Sequence, residues 1–96
     1  MPVLPPLDRP AIGGVDVGVA STVVRATYDA RRYLLLVNDS DTVIYVALGG
    51  DAVLNQGIRL NADGGWYEML EGQNLYTGPV NAIASAGSKR LTFQEA

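Results

Sequence analysis

The chain has 96 residues, a length that fits one domain with one core, and its 48% apolar content argues against wholesale disorder. Seven basic residues against ten acidic ones leave a net charge of −3, which disfavours a general electrostatic grip on nucleic acid or an anionic membrane. Cys and His are both absent, so disulfide staples, thiol catalysis, the commonest general base and the commonest metal ligand are excluded.

Residues 1–18, MPVLPPLDRPAIGGVDVG, hold four of the five prolines, and Gly13-Gly14 look like a hinge. This composition predicts an extended N-terminal arm. Val3, Leu4, Leu7 and Ile12 make it too apolar for a solvated linker, so it is expected to lie along its own domain or a neighbouring subunit. There is no basic-then-apolar leader pattern and no apolar run of the ~20 residues a membrane-spanning helix needs. The expectation is an intracellularly made, soluble protein.

From residue 19 to 96 the pattern changes to short β-type runs. STVVRATY (21–28) alternates, with Val24, Ala26 and Tyr28 on one side and Val23, Arg25 and Thr27 on the other. Runs at 32–37 and 42–48 flank Asn38-Asp39-Ser40-Asp41, a strong turn cluster, and predict a hairpin closed off by Gly49-Gly50-Asp51. A short strand near Ile58 to Leu60, a turn at 62–65, the alternating WYEML (66–70) and a turn at 71–74 follow. VNAIASA (80–86) and RLTFQE (90–95) flank Gly87-Ser88 and predict a last hairpin, with glycine at the position needing positive φ. Turns recur and no 3.6-residue period is sustained. The fold expected is an all-β, antiparallel, jelly-roll-like sandwich of about seven or eight short strands.

Few residues offer chemistry. Ser21, Ser40, Ser85 and Ser88 have only Lys89 as an activating base, and Ser88-Lys89 are neighbours in a turn, so the chain reads as non-enzymatic and without a cofactor. Asp39, Asp41 and Asp51 could form an oxygen cage for Ca²⁺, but Ile44 stands where a helix-loop-helix calcium loop has its glycine, and turn chemistry is the better reading. Trp66, Tyr67 and Tyr76 could supply a sugar-binding platform. Arg25, Arg31 and Arg32 beside Tyr28 and Tyr33 could supply a nucleic-acid surface, a reading weakened by the acidic balance.

The segment 31–51 carries apolar residues on both alternating sets: Tyr33, Leu35, Val37, Val43, Tyr45 and Ala47 against Leu34, Leu36, Ile44, Val46 and Leu48. At roughly 1.5–3 kcal/mol per large side chain, leaving four of them exposed would forgo about 6–12 kcal/mol, as much as a domain's whole stability. One set needs a cover beyond the opposite sheet. Leu34, Leu36, Ile44, Val46 and Leu48, together with Val3, Leu4, Leu7 and Ile12 of the arm, are therefore the candidate oligomer or partner interface. The cover would be the arm, the loop 51–64, or another subunit, which makes a homo-oligomer, dimer or trimer, the expected state.

YLLLVNDSDTVIYVALGGDAVLNQGIRLNADGGWYEM (33–69), preceded by Arg32, and LYTGPVNAIASAGSKRLTFQE (75–95) resemble small β-sandwich structural proteins of tailed bacteriophages and related gene-transfer particles. The likeness is carried by Arg32, Asn38, Ile44, Tyr45, Val46, Gly57, Leu60 and Trp66, then by Ala82, Ile83, Ala84, Gly87, Thr92 and Glu95. It implies a virion component made in the host cytoplasm: first a capsid decoration (cement) protein contacting itself and the major capsid protein, second a head-tail connector, tail or fibre-base piece. A carbohydrate-binding module is the alternative from another class.

Overall fold

The structure is a computed structural model and describes residues 5–7 and 10–96. Eight strands form: β1 (Ala11–Val17), β2 (Thr22–Arg25), β3 (Tyr33–Asn38), β4 (Ile44–Leu48), β5 (Ile58–Leu60), β6 (Trp66–Leu70), β7 (Val80–Ala84) and β8 (Lys89–Glu95). They build two antiparallel four-stranded sheets, one ordered β1-β8-β3-β6 and the other β2-β7-β4-β5. Every consecutive pair except β4–β5 crosses between sheets, which is the winding of an eight-stranded jelly roll.

That winding overturns both expected hairpins. β3 and β4 do not pair; they lie in opposite sheets, joined by a corner at 39–43. Asn38 builds the corner from inside: it is fully buried, its Nδ2 donates to Thr42 O (2.8 Å) and Leu60 O (3.0 Å), and its Oδ1 accepts from Ser40 Oγ (2.7 Å) and Ser40 N (3.1 Å). The turn residues expected between two paired strands instead carry the chain from one layer to the other. β7 and β8 likewise belong to different sheets, and the positive φ in their connection falls on Ser88 (58°), not on Gly87.

The two apolar sets of 31–51 now separate. Residues paired across strands share a face, so Leu34, Leu36 and Asn38 of β3 point inward with Met69 and Tyr67 of β6 and with Glu95, Phe93 and Leu91 of β8. From the other sheet Ile44 and Val46 point inward with Leu60, Ala82 and Ala84. Leu34, Leu36, Ile44 and Val46 are fully buried, and Leu48 packs partly buried against them. These five are core between the sheets, and correcting their assignment as an interface follows from the sheet crossing: each strand gives one set to the same core.

The arm is also shorter than 1–18. Ala11–Val17 pair with β8 over their whole length, Ala11 opposite Glu95 through Val17 opposite Lys89, so the sandwich begins at residue 11. Gly13 and Gly14 are strand residues rather than a hinge. A Cβ on Gly13 would lie 2.7 Å from Phe93 Cζ on the inner side, and one on Gly14 would lie 2.7 Å from the Arg90 guanidinium carbon on the outer side. Their bare backbones let two β8 side chains lie across β1. Of the remaining arm, Pro5 and Pro6 accept hydrogen bonds from the Arg32 guanidinium through their carbonyls, and Leu7 beside them is exposed. Val3 and Leu4 lie outside the described residues.

Candidate functional site

Two outer faces remain once the core is assigned, and they differ. The outer face of the β2-β7-β4-β5 sheet carries Tyr45, Arg59, Ala47, Asn81, Ile83 and Val23. The segment 49–57 covers its centre: Asn81 Nδ2 donates to Gly50 O (2.6 Å), Ala52 N donates to Ser21 Oγ (2.8 Å), and Tyr45 Oη donates to Asn55 Oδ1 (3.0 Å). Asn81 and Ile83, although they face outward, are buried there. The loop anticipated as a possible cover does this on this sheet.

No comparable segment among the described residues covers the centre of the other sheet. Its outer face runs in rows set by the register: Gly14, Thr92, Val37 and Trp66 in one, and Ile12, Gln94, Leu35 and Glu68 in the next. Leu35 and Val37 are half-buried by their neighbours, while Ile12 is 81% and Trp66 64% exposed. A shallow apolar groove follows Ile12, Leu35, Val37 and Thr92. Alternation makes this arrangement: β3 places Leu34 and Leu36 inside, so Leu35 and Val37 must point out.

Two ion pairs and one carboxylate held by a phenol frame the groove. Arg90 Nη1 meets Asp16 Oδ1 at 3.3 Å at one end, and Arg32 is bonded to Glu71 at the other. Tyr33 Oη donates to Glu68 Oε2 (2.7 Å); burial, then this bond to an acceptor, raises the phenol above its ordinary pKa. The groove therefore presents apolar surface, the Thr92 hydroxyl and the Gln94 amide, with the Glu68 carboxylate beside Leu35.

Most of the basic residues considered for nucleic acid are engaged within the domain. A bulge between Val23 and Arg25 turns Arg25 inward, where the alternation of 21–28 had placed it opposite Val24. Its Nη2 donates to Glu95 Oε1 (2.6 Å), and its guanidinium lies 4.2 Å from the Phe93 ring centroid. Arg31 is 2% exposed; its Nε donates to Glu95 Oε2 (2.7 Å) and its terminal nitrogens to the carbonyls of Tyr76, Gly78 and Ala26. Burial pushes the Glu95 carboxyl up, but the hydrogen bonds and charges of Arg25 and Arg31 outweigh it and hold the group below the usual glutamate range. This cluster closes the end of the sandwich where the chain terminus, the 26–31 connection and the 76–78 loop meet.

The other sequence candidates also find places. Asp41 accepts from Lys89 Nζ (2.7 Å) and Thr42 Oγ1 (2.9 Å), and the bond to Lys89 holds its carboxyl below the usual range. Tyr67 and Tyr76 pack against the core, so of the three aromatic residues considered for a sugar platform only Trp66 stands free. No protein-family model, curated protein or solved structure matches the chain. What the sequence reading missed is the groove itself: Leu35, Val37 and Thr92 were passed over for their inward neighbours. The available signal was the alternation of β3, which sets Leu35 and Val37 on the face opposite Leu34 and Leu36; which face is outer follows only from the pairing.

Proposed function

We propose that this chain is a non-enzymatic structural protein of a virion, a capsid decoration protein that seats the outer face of the β1-β8-β3-β6 sheet on a capsid protein. The single observation carrying this reading is the asymmetry of the two outer faces: one is covered by the chain's own 49–57 segment, the other leaves Ile12, Leu35 and Val37 along a shallow groove, with exposed Trp66 next to Val37 in the adjoining strand. An apolar patch with a polar rim is suited to a protein partner. The resemblance of 33–69 and 75–95 to tailed-phage sandwich proteins supplies the kind of assembly.

The test is binding to purified expanded capsids of a tailed phage carrying this gene, read by co-sedimentation and capsid melting temperature. Decoration predicts saturation at a copy number matching the capsid lattice and a raised melting temperature. Trp66→Ala should weaken binding at least about tenfold, the loss of one well-packed aromatic anchor, while leaving the free protein's melting curve in place. Ring-forming copy number at a single vertex would instead assign the chain to the head-tail junction or tail, and absence from particles together with glycan binding would overturn the virion reading.

A further inference from the structure

The four sheet edges are not alike. Beside β6, the Asn74 side chain behaves as a short strand: its Oδ1 accepts from Leu70 N (2.9 Å) and its Nδ2 donates to Glu68 O (3.0 Å), filling two of the outward backbone groups. β2 has four residues and a bulge, and β5 has three residues. Each of these is a way of blunting an edge. β1 has seven residues in unbroken register with β8 and no Lys or Pro, and among the described residues none pairs with its free side.

Its free groups can be identified. Tyr33 and Ala96 exchange both backbone bonds (3.0 Å each), so the even-numbered residues of β8 bond to β3 and the odd-numbered ones to β1. The β1 partners of Leu91, Phe93 and Glu95 are Val15, Gly13 and Ala11. The amides and carbonyls of Ile12, Gly14 and Asp16 consequently point out of the sheet edge.

We propose that a second copy of this chain pairs antiparallel with β1, Val15 opposite the partner's Val15 and Gly14 opposite the partner's Asp16, joining two four-stranded sheets into one of eight. Identical strands meeting about a two-fold axis form an isologous contact. Charge selects the register. Because Gly14 has no side chain, the Arg90 guanidinium lies over it at the sheet edge, and the Arg90 and Asp16 side chains are 49% and 66% exposed. Setting Gly14 against the partner's Asp16 brings that carboxylate to Arg90, and symmetry repeats the pair. Setting Gly14 against the partner's Gly14 would bring two guanidinium groups together. In the favoured register the two Val15 residues form a close, non-hydrogen-bonded pair on the inner side, and the amides and carbonyls of Gly14 and Asp16 on each chain find partners. This pairing does not rest on the virion reading.

The chain has no cysteine, so one introduced thiol reports the register. Facing Cα atoms of a non-hydrogen-bonded antiparallel pair are ~4.5 Å apart, inside the ~4.4–6.8 Å range of a disulfide. Light scattering after size exclusion should give a dimer mass for the wild type, and Val15→Cys should give a covalent dimer on mild oxidation while Gly14→Cys does not. Asp16→Arg, an exposed change, should raise the dimer dissociation constant at least about tenfold by setting like charges opposite each other, and Arg90→Asp added to it should restore dimerisation. A monomer mass for the wild type, cross-linking through Gly14→Cys instead of Val15→Cys, or no recovery in the charge swap would each overturn the proposal.

Discussion

Glu95→Gln isolates the buried cluster at the end of the sandwich. Glutamine keeps the shape of the side chain and one oxygen, but Arg31, 2% exposed, loses its negative partner and is left with neutral acceptors, the glutamine oxygen and the carbonyls of Tyr76, Gly78 and Ala26. Removing one member of a buried ion pair costs about 3–5 kcal/mol, and the carbonyls that remain place this case near 3. For a domain of this length about 3 kcal/mol corresponds to a fall in melting temperature of roughly 12–24 °C. Arg25→Met should cost less, about 1–2 kcal/mol, because the Arg25 side chain is 30% exposed and Glu95 keeps Arg31. The sign with pH follows from the lowered Glu95 pKa: its contribution is present above the unfolded value of about 4.3 and is lost as pH falls through the lower folded value. Urea unfolding at pH 7 and then at successively lower pH should show the gap between wild type and Glu95→Gln narrowing in acid. A variant within about 0.5 kcal/mol of wild type at pH 7, or a gap unchanged in acid, would refute this account.

Neighbouring residues of β3 should behave oppositely: Leu36→Ala, in the core, is expected to cost about 2–5 kcal/mol in urea unfolding, and Leu35→Ala, in the groove, about 1 kcal/mol or less. Asn38→Ala removes both donors and the acceptor from the β3–β4 corner and should cost about 2–3 kcal/mol by the same measurement, since Leu60 O loses this donor and Thr42 O keeps only the Ser40 hydroxyl (3.0 Å). Asn74→Ala should change stability by only about 1 kcal/mol but open the β6 edge, so light scattering should show association beyond a dimer where the wild type shows none.

Strand content was legible because it is local. The runs at 32–37, 42–48, 66–70, 80–86 and 90–95 each produced a strand near the expected bounds, and the antiparallel sandwich followed from them. Pairing was less legible, because the same short polar connection serves a hairpin and a sheet-crossing corner. Nothing within Asn38 to Asp41 states which one forms; the choice is made by Leu60, Gly65 and Arg90, whose backbones receive the corner from distant parts of the chain. β1 was hidden for a related reason. Gly13 and Gly14 read as flexibility in isolation and become strand residues only because Phe93 and Arg90 occupy the space their side chains would need.

The excess of apolar residues in 31–51 was a correct observation attached to the wrong set. Counting alone could establish that two faces needed burial, but choosing between them required knowing that β3 and β4 face each other across the core instead of lying side by side. Once they do, Leu34, Leu36, Ile44 and Val46 bury one another, and the unsatisfied set is halved: Tyr45 and Ala47 lie on the sheet served by 49–57, while Leu35 and Val37 lie on the sheet that is not. The burial shortfall read from the sequence is therefore real but local to one sheet. It falls beside β1, where Ile12 lies in the same row as Leu35 and where the backbone edge is open. A partner on the groove and a second copy at the edge would thus cover adjoining surfaces, and a two-fold pairing through β1 would place two such grooves on one side of a continuous sheet, doubling the surface offered to whatever the protein binds.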